Sequence, residues 1–190
     1  MAELDPDYPV RSERLALRPW EPDDAETIFK IYSRADVNQW LYTLPLTRGG
    51  LAELVERKVA RRSLAGDGSG LNLAAVDAGS GAIVGDFALR VWAAAHRQGE
   101  IGFVVHPAHH GRGYATEGAA RLLQLGFEDA GFHRIIGRIE ARNEPSARVL
   151  ERLGMRREAH FVENELVKGG WESEVVYALL AREWRERQAD

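Results

Sequence analysis

Two glycines, Gly111 and Gly113, follow a short apolar run and precede a stretch with helical periodicity. Pro107 ends the apolar run, which predicts a strand that stops there, because a proline cannot donate a hydrogen bond to a sheet. Alanines and leucines beyond Gly113 recur at a spacing that predicts a helix. A helix that starts at such a turn presents free backbone N–H groups and the positive end of its dipole. The pattern therefore predicts an anion site, and phosphate is the usual ligand of such a site.

The residues around this turn exclude two common phosphate loops. A P-loop has a lysine directly after its last glycine, and no lysine lies near this turn. A dinucleotide-binding fingerprint has a third glycine where Thr116 stands, and it opens a parallel βαβ unit. Here an antiparallel hairpin is predicted before the turn. We therefore expect a phosphate site of another kind.

Three histidines, His106, His109 and His110, lie within five residues beside the same turn. No acidic or cysteine partner is close to them in the sequence, and their spacing matches no zinc pattern. We therefore predict no metal site.

Composition sets wider limits on the function. The chain has 190 residues, 45% of them hydrophobic, and we predict a single domain over residues 1–190. The formal charge of −4 argues against a nucleic-acid partner, and the absence of cysteine excludes a cysteine nucleophile and a thiolate metal site. No apolar run approaches the roughly 18 residues of a membrane span, and the first residues lack a signal sequence. These observations predict a cytoplasmic protein with no membrane partner.

The elements that position the turn are predicted from periodicity and turn residues. Strands are expected at residues 13–20, 71–76, 83–92, 99–105, 133–141, 155–167 and 171–180. Helices are expected from Glu21 to Tyr32, from Thr47 to Ala65, from Gly113 to a C-cap at Gly131, and from Asn143 to Leu153. The predicted class is therefore α/β, with a core over about residues 12–184 and a polar tail from Ala181.

Three stretches of the sequence resemble the GNAT N-acetyltransferases. Residues 110–115 (HGRGYA) are similar to that family's pyrophosphate signature, Gln/Arg-x-x-Gly-x-Gly/Ala, except that His110 stands at its first position. Residues 143–155 resemble the family's Asn-x-x-Ser helix, which ends in Leu-Gly-Met here. Residues 11–20 resemble the opening strand of the RimJ/RimL-type branch, whose members acetylate protein N-termini. The resemblance covers nearly the whole chain and follows the family's order of elements.

The resemblance implies a single α/β domain whose mixed, mostly antiparallel central sheet is flanked by helices, with splayed central strands that hold acetyl-CoA. It implies that the backbone of the glycine turn binds the pyrophosphate, that the central strand and Asn143 bind the pantetheine arm, and that Ser146 lies near the thioester sulfur. From the residues alone, Asn143 is an N-cap and Ser146 a surface serine. The residues that correspond to the cofactor site are Phe103, Val104, Val105, His110, Gly111, Arg112, Gly113, Tyr114, Ala115, Thr116, Asn143 and Ser146.

The resemblance also implies direct acetyl transfer in a ternary complex with no acyl-enzyme, and the lack of cysteine is consistent with this. Many members carry a tyrosine acid four residues after the serine, where this chain has Leu150. We therefore expect Ser146 or water to protonate the leaving thiolate, whose pKa of about 8.5 makes it a tolerable leaving group. Glu100 and Glu163 are the candidate bases, and either can equally be a surface carboxylate.

The predicted acceptor is the α-amine of a protein or peptide N-terminus. The pKa of an α-amine is about 7.7–8.0, so much of it is neutral near pH 7, whereas a lysine side chain at about 10.4 needs a stronger base. The sequence also shows no strongly basic cluster that would mark an acidic target. The alternatives are a small-molecule amine (an aminoglycoside, a polyamine or an amino acid) and a CoA-binding sensor without activity.

Three aromatic residues have two interpretations. Trp20, Trp40 and Tyr42 either line the acceptor pocket or pack in the core. The oligomeric state is equally open at this point, with a monomer and a homodimer both compatible with the sequence.

Overall fold

The computed structural model describes residues 3–189, which form a nine-stranded sheet with helices on both faces. The strands are β1 (Val10–Arg11), β2 (Leu15–Pro19), β3 (Arg62–Ser63), β4 (Gly70–Asp77), β5 (Ile83–Ala93), β6 (Gln98–Val105), β7 (Arg134–Glu140), β8 (Arg156–Val167) and β9 (Gly170–Leu180). The helices are α1 (Ala25–Tyr32), α2 (Ala35–Asn38), α3 (Leu51–Val59), α4 (Tyr114–Gln124), α5 (Glu144–Arg152) and α6 (Ala181–Ala189). In this part of the chain, no helix is both long and apolar enough to cross a bilayer.

The sheet is mixed but mostly antiparallel. Its strand order is β1-β2-β4-β5-β6-β7-β9-β8, with β3 paired to β4. Only β6 and β7 run parallel among the paired strands of residues 3–189. The α/β class predicted from the sequence, a mostly antiparallel sheet flanked by helices, is confirmed.

The two central strands β6 and β7 separate along their length. Their pairing runs from Gln98 opposite Arg134 to Ile101 opposite Gly137 and stops there, although β6 continues to Val105. At the end of β6 the N–H of His106 donates to Val84 at 2.8 Å, on the β5 side. Because alternate residues of a strand face opposite neighbours, the backbone groups of Phe103 and Val105 face the gap instead. The predicted splay of the central strands is therefore present.

Each face of the sheet has its own apolar layer. On the face covered by α4, Phe87 and Leu89 of β5 pack against Leu122 and its neighbours. Gly118 is required in this helix, because a Cβ there would lie 2.4 Å from the Phe87 ring. On the opposite face, a smaller layer lies under α1 and α3. The two layers place α4 and α3 on opposite sides of the sheet.

Trp20 belongs to the smaller layer. It is 1% exposed, and its indole N–H donates to Asp86 at 2.6 Å. Of the two interpretations of this residue, core packing is therefore correct.

The predicted boundaries of the helix from Thr47 to Ala65 are wrong at both ends. Thr47 instead precedes a 3₁₀ turn at Arg48–Gly50, and α3 starts only at Leu51. Two consecutive glycines fall in the first turn of the predicted helix. Glycine disfavours the α-helix, which explains why the helix starts late. The helix stops at Val59 because the following residues pair with β4 as strand β3. Tertiary strand pairing therefore overrides the local helical pattern.

The polar segment from Ala181, predicted only as a tail, forms helix α6. Trp184 packs against Phe127 with ring centroids 5.8 Å apart and donates its indole N–H to Glu128 at 2.9 Å. One aromatic anchor therefore attaches an otherwise polar helix to the segment that follows α4. The predicted C-cap at Gly131 has a left-handed backbone, with φ of +70°.

Candidate functional site

The turn before α4 depends on glycine at two positions. Gly111 has φ of +75° and Gly113, the N-cap of α4, has φ of +81°. Both values lie in the left-handed region, which residues with a Cβ rarely adopt. The helix that follows has eleven residues, and the N–H groups of its first turn have no acceptor within the helix. The turn is therefore built to present N–H donors to an anion.

A partly exposed ionic network fixes this turn to the start of the chain. The Glu117 carboxylate accepts hydrogen bonds from the Ser12 hydroxyl at 2.7 Å and from the Arg14 backbone N–H at 2.6 Å. The Arg14 guanidinium binds the same carboxylate at 2.7 Å and also donates to the carbonyl of Arg112 at 2.9 Å. Burial raises the pKa of Glu117, but these donors outweigh burial and hold that pKa below its usual value. Glu117 therefore remains ionised and anchors the turn.

Three predicted site residues of the turn differ in where their side chains point. The His110 ring N–H donates to the carbonyl of Val105 at 2.8 Å, which ties the turn to the end of β6. The Tyr114 hydroxyl donates to Asp77 at the end of β4 at 2.6 Å, and this hydrogen bond raises the pKa of Tyr114. Tyr114 therefore offers the site only its backbone. Arg112 is exposed, and its side chain does not line the cleft described next.

A cleft of about 1200 Å³ runs from the glycine turn past the open edge of β6 to a mouth on the α3 side of the sheet. Its first half, here called the cofactor half, is lined by Phe103, Val104, Val105, His110, Gly111, Gly113, Tyr114, Ala115, Thr116, Asn143 and Ser146. The rest, here called the acceptor half, lies between α3, the loop at residues 39–46 and β5. The fold therefore brings together the predicted cofactor residues, except Arg112.

Asn143 and Ser146 lie at the first turn of α5 and face the cleft. Asn143 is 7% exposed, and its side-chain oxygen accepts the Ser146 N–H at 3.2 Å, so it does cap the helix. The Ser146 hydroxyl has no hydrogen-bond partner among residues 3–189. Leu150 is 1% exposed and packs against Gly137, where a Cβ would lie 2.9 Å from its methyl group. Leu150 is therefore a packing residue.

The two predicted bases lie in different surroundings. Glu100 on β6 faces the α3 side and does not itself line the cleft, but it lies 3.3 Å from Arg138, a residue that does. Glu163 occupies an irregular segment of β8 with φ of +49°, is exposed and does not line the cleft. A third carboxylate, Glu174, shares Arg138 at 3.6 Å, and burial raises its pKa. No local sequence pattern indicates Glu174, because only the pairing of β7 with β9 brings it to Arg138.

A buried polar cluster forms the floor of the acceptor half. The Asp86 carboxylate accepts hydrogen bonds from Lys58, from Tyr32 and from the Trp20 indole. Burial, and then the adjacent Asp86, raise the pKa of Tyr32 well above its usual value. Asp86 is therefore surrounded by donors and balanced by Lys58, an arrangement that suits a fixed structural anion better than a base.

The rim of the acceptor half includes two of the aromatic residues singled out in the sequence. Trp40 and Tyr42 line the cleft, in contrast to Trp20. The loop that carries them is held to the β8–β9 turn by the Lys168 ammonium, which donates to the carbonyls of Asn38 and Leu41. Lys168 therefore connects the loop that carries Trp40 and Tyr42 to the β8–β9 turn.

Three arginines, Arg57, Arg61 and Arg90, line the acceptor half together, and they are called here the arginine cluster. Burial, and then the charges of Arg90 and Arg57, lower the pKa of Arg61. The prediction that the chain has no strongly basic cluster is therefore wrong. The four-residue spacing of Arg57 and Arg61 at the end of a predicted helix indicates two of its three members. The third, Arg90, comes from a distant strand.

Comparisons with known proteins agree with this geometry. The family model described as "Acetyltransferase (GNAT) domain" matches residues 14–156, well over half of the chain. The crystal structure of the acetyltransferase (GNAT family) from Bacillus anthracis superposes with a TM-score of 0.82 at 29% identity, over 91% of this chain and 98% of that one. The match therefore covers both halves of the cleft.

Two curated relatives come from Bacillus subtilis strain 168. The uncharacterized N-acetyltransferase YnaD is 43% identical over 86 residues, which are 45% of this chain and only 50% of that relative. The putative ribosomal N-acetyltransferase YdaF is 27% identical over 180 residues, which are 91% of this chain and 94% of that relative.

Proposed function

The chain belongs to the GNAT family and is an acetyl-CoA-dependent acyltransferase, and from this premise we propose that its acceptor is the α-amine of a protein or peptide. The observation that carries the proposal is the continuous cleft, which joins the glycine turn to an open mouth on the other face of the sheet. A phosphate-bearing donor and an amine acceptor can therefore enter from opposite ends and meet beside β6. That arrangement supports direct transfer in a ternary complex.

The residues of the cofactor half fit acetyl-CoA. Two left-handed glycines and the N-terminus of α4 offer N–H donors for a pyrophosphate. Beyond Ile101 the edge of β6 is unpaired, and the N–H groups of Phe103 and Val105 are free to bind an extended amide-bearing arm. His110 already occupies the Val105 carbonyl, so this arm would pair with the remaining groups. Bound acetyl-CoA supplies the thioester that the amine attacks.

We assign the role of base to Glu100 rather than to Glu163. Glu100 lies beside cleft-lining Arg138, whereas Glu163 is exposed and away from the cleft. As the amine nitrogen bonds to the acetyl carbon, its proton passes to the Glu100 carboxylate directly or through a water. Arg138, 3.3 Å from the Glu100 carboxylate, orients that carboxylate, so the role of Arg138 is positioning.

Ser146 is proposed to serve the leaving group. Its hydroxyl lines the cleft with no partner in the described chain, so it is free to donate to the sulfur as the carbon–sulfur bond breaks. Leu150 has no proton to give. Asn143 would hold the pantetheine arm, since its side chain is buried at the cleft wall next to Ser146.

Two further observations favour an α-amine. The opening strand resembles that of the N-terminal acetyltransferases, and YdaF, similar over almost its whole length, is named a putative ribosomal N-acetyltransferase. A polyamine, by contrast, would meet Arg57, Arg61 and Arg90 in the acceptor half, and like charges repel.

Mass spectrometry of peptides that carry both a free N-terminus and an internal lysine tests this proposal. With acetyl-CoA, we expect the label on the α-amine and a rate that levels off above about pH 8, near the pKa of that amine. Acetylation of lysine alone, or of small amines alone, would refute the acceptor assignment. No turnover with any amine, despite CoA binding, would favour a sensor.

A further inference from the structure

The arginine cluster is assembled by strand pairing. Arg90 lies directly opposite Gly70, and a Cβ on Gly70 would come within 3.3 Å of the Arg90 side chain. The stem of Arg90 therefore extends over β4 towards β3. Arg61 immediately precedes β3, and its carbonyl accepts the N–H of Asn72 at 2.7 Å. Asn72 shares a face with Arg90, so two guanidinium groups and one carboxamide converge.

These three side chains have no partner of their own. Within residues 3–189, neither Arg61 nor Arg90 has a carboxylate within 4.0 Å or a side-chain hydrogen bond. Asn72 is only 5% exposed and lines the cleft, yet its carboxamide makes no hydrogen bond in the same part of the chain. By contrast, two other cations that line the cleft are paired: Lys58 with Asp86, and Arg138 with Glu100.

Arg57 is partly neutralised by Glu53, which lies 3.5 Å away one helical turn earlier. It therefore adds positive charge to the rim of the cluster without being its centre. An anionic ligand would supply both the counter-charge that Arg61 and Arg90 lack and an acceptor for the Asn72 amide.

The cofactor's phosphates are not the expected partner of this cluster. The phosphate-binding turn precedes α4, which packs on the face of Phe87 and Leu89. Arg90 and Asn72 instead share the opposite face with Asp86 and Ala88. The sheet therefore separates the cluster from the pyrophosphate, and the cluster lies on the side from which the acceptor enters.

From this geometry we infer that Arg61, Arg90 and Asn72 bind a carboxylate carried by the acceptor, so that acceptors with an acidic group near their amine are preferred. The inference rests on the acceptor site proposed above. Two guanidinium groups and an amide N–H match the two oxygens of a carboxylate. Asn72, Ala88 and Gly102 stand in one row across β4, β5 and β6. Two strand spacings separate Asn72 from Gly102. An acceptor whose amine lies beside Gly102 would therefore carry its carboxylate about 10 Å away or less.

The small residues in this row keep the path open. Gly102 has no Cβ, and none of the described atoms lies within 4 Å of where one would stand. Ala88 lines the cleft between Gly102 and Asn72. An acidic side chain on one of the first residues of a peptide, or the chain of an ω-amino acid, covers part of this distance, and the long side chains of Arg61 and Arg90 cover the rest. The chemistry is the same for both sources.

The test compares acceptors that differ only in charge. One pair is a C-terminally amidated peptide that begins with Glu and the same peptide beginning with Gln, and the other pair is 4-aminobutanoate and its amide. In each pair that the enzyme acetylates, we expect kcat/KM for the acid to exceed kcat/KM for the amide by about ten-fold or more. Acetylation of the peptide pair identifies a peptide source, and acetylation of the small pair alone identifies a free amino acid.

Variants assign the preference to the cluster. Arg61→Gln and Arg90→Gln should each reduce the acid-to-amide ratio of kcat/KM towards one. Arg90→Glu should invert the ratio. Arg182→Gln, an exposed arginine of α6 away from the cleft, is the matched control and should keep the wild-type ratio. Circular dichroism confirms that each variant folds.

The outcomes separate this inference from the proposed function. Equal rates for acid and amide, or a preference that survives both Gln variants, overturn the carboxylate site and leave α-amine acetylation standing. Acetylation of small amines alone refutes the peptide acceptor, and the small pair then decides the carboxylate site. If no acceptor turns over, the same pairs are titrated calorimetrically into the CoA-bound protein, and equal affinity for acid and amide overturns the inference.

Discussion

The cofactor half and the acceptor half of the cleft offer their proposed ligands different kinds of group. In the cofactor half, the residues proposed to bind the pyrophosphate form one continuous stretch, which presents backbone N–H groups at Gly111, Gly113 and the start of α4. In the acceptor half, the lining comes from side chains on α3, β4, β5 and β7. Backbone recognition needs a particular conformation, whereas side-chain recognition needs particular residues brought together.

This difference explains which residues can vary. His110 stands where the family signature has Gln or Arg, yet it still fastens the turn, through the Val105 carbonyl. In the acceptor half, replacing one side chain removes its charge or hydrogen bond outright. We therefore expect substitutions in the cofactor half to act through conformation and substitutions in the acceptor half to act through chemistry.

The largest effect is expected at the base. Glu100→Gln should lower kcat by about 10²–10⁴-fold, the usual range for loss of a general base, with acetyl-CoA binding little changed. Steady-state kinetics at pH 7 and 9 measure this effect. Glu163→Gln is the matched control, and it should retain kcat within a few-fold because Glu163 is exposed and away from the cleft. A larger loss in Glu163→Gln would reverse the assignment.

In the cofactor half, Gly113→Asp should weaken CoA binding by about 100-fold, measured by calorimetry. It forces a residue with a Cβ to adopt φ of +81° and places a negative charge where phosphate is expected. Gly131→Asp controls for backbone strain, since Gly131 has φ of +70° with open space around it and does not line the cleft. Wild-type affinity in Gly113→Asp would exclude this turn as the phosphate site.

At the first turn of α5, two variants should change different kinetic parameters. Asn143→Ala should raise KM for acetyl-CoA, and Ser146→Ala should lower kcat, each by about ten-fold. Asn143→Asp separates capping from ligand binding, because aspartate still caps the helix but cannot donate to a pantetheine carbonyl. If Asn143→Asp keeps both the melting temperature and the KM of the wild type, Asn143 only caps the helix.

The smallest effect concerns the network that anchors the glycine turn. Because the folded-state pKa of Glu117 is lowered, its stabilisation is present above the unfolded-state value of about 4.3 and disappears as the pH falls through the folded-state value. Glu117→Gln should therefore destabilise the protein by about 1–3 kcal/mol at pH 7 and by much less near pH 3. Thermal melts across this range measure the difference. Glu186→Gln, exposed on α6, should show no such trend.

The part of the fold that could be predicted from the sequence is the part fixed by local pattern. Alternation gave the main strands, and the order of strands and helices gave the α/β class. The end of α3 could not be predicted, because residues 62–63 leave the helical pattern only to pair with β4. Helix α6 could not be predicted either, since its stability depends on packing of Trp184 against Phe127.

The same division applies to the site. The sequence by itself determined the glycine turn and the cap of α5, because each is made by neighbouring residues whose conformational preferences act locally. Only the tertiary structure decided which carboxylate stands beside the cleft, where Trp20 packs, and that Arg90 joins Arg61 and Asn72. Such groupings arise from strand register, which depends on contacts between residues far apart in the chain. Charge at a site is therefore a property of the fold, even where every charged residue is visible in the sequence.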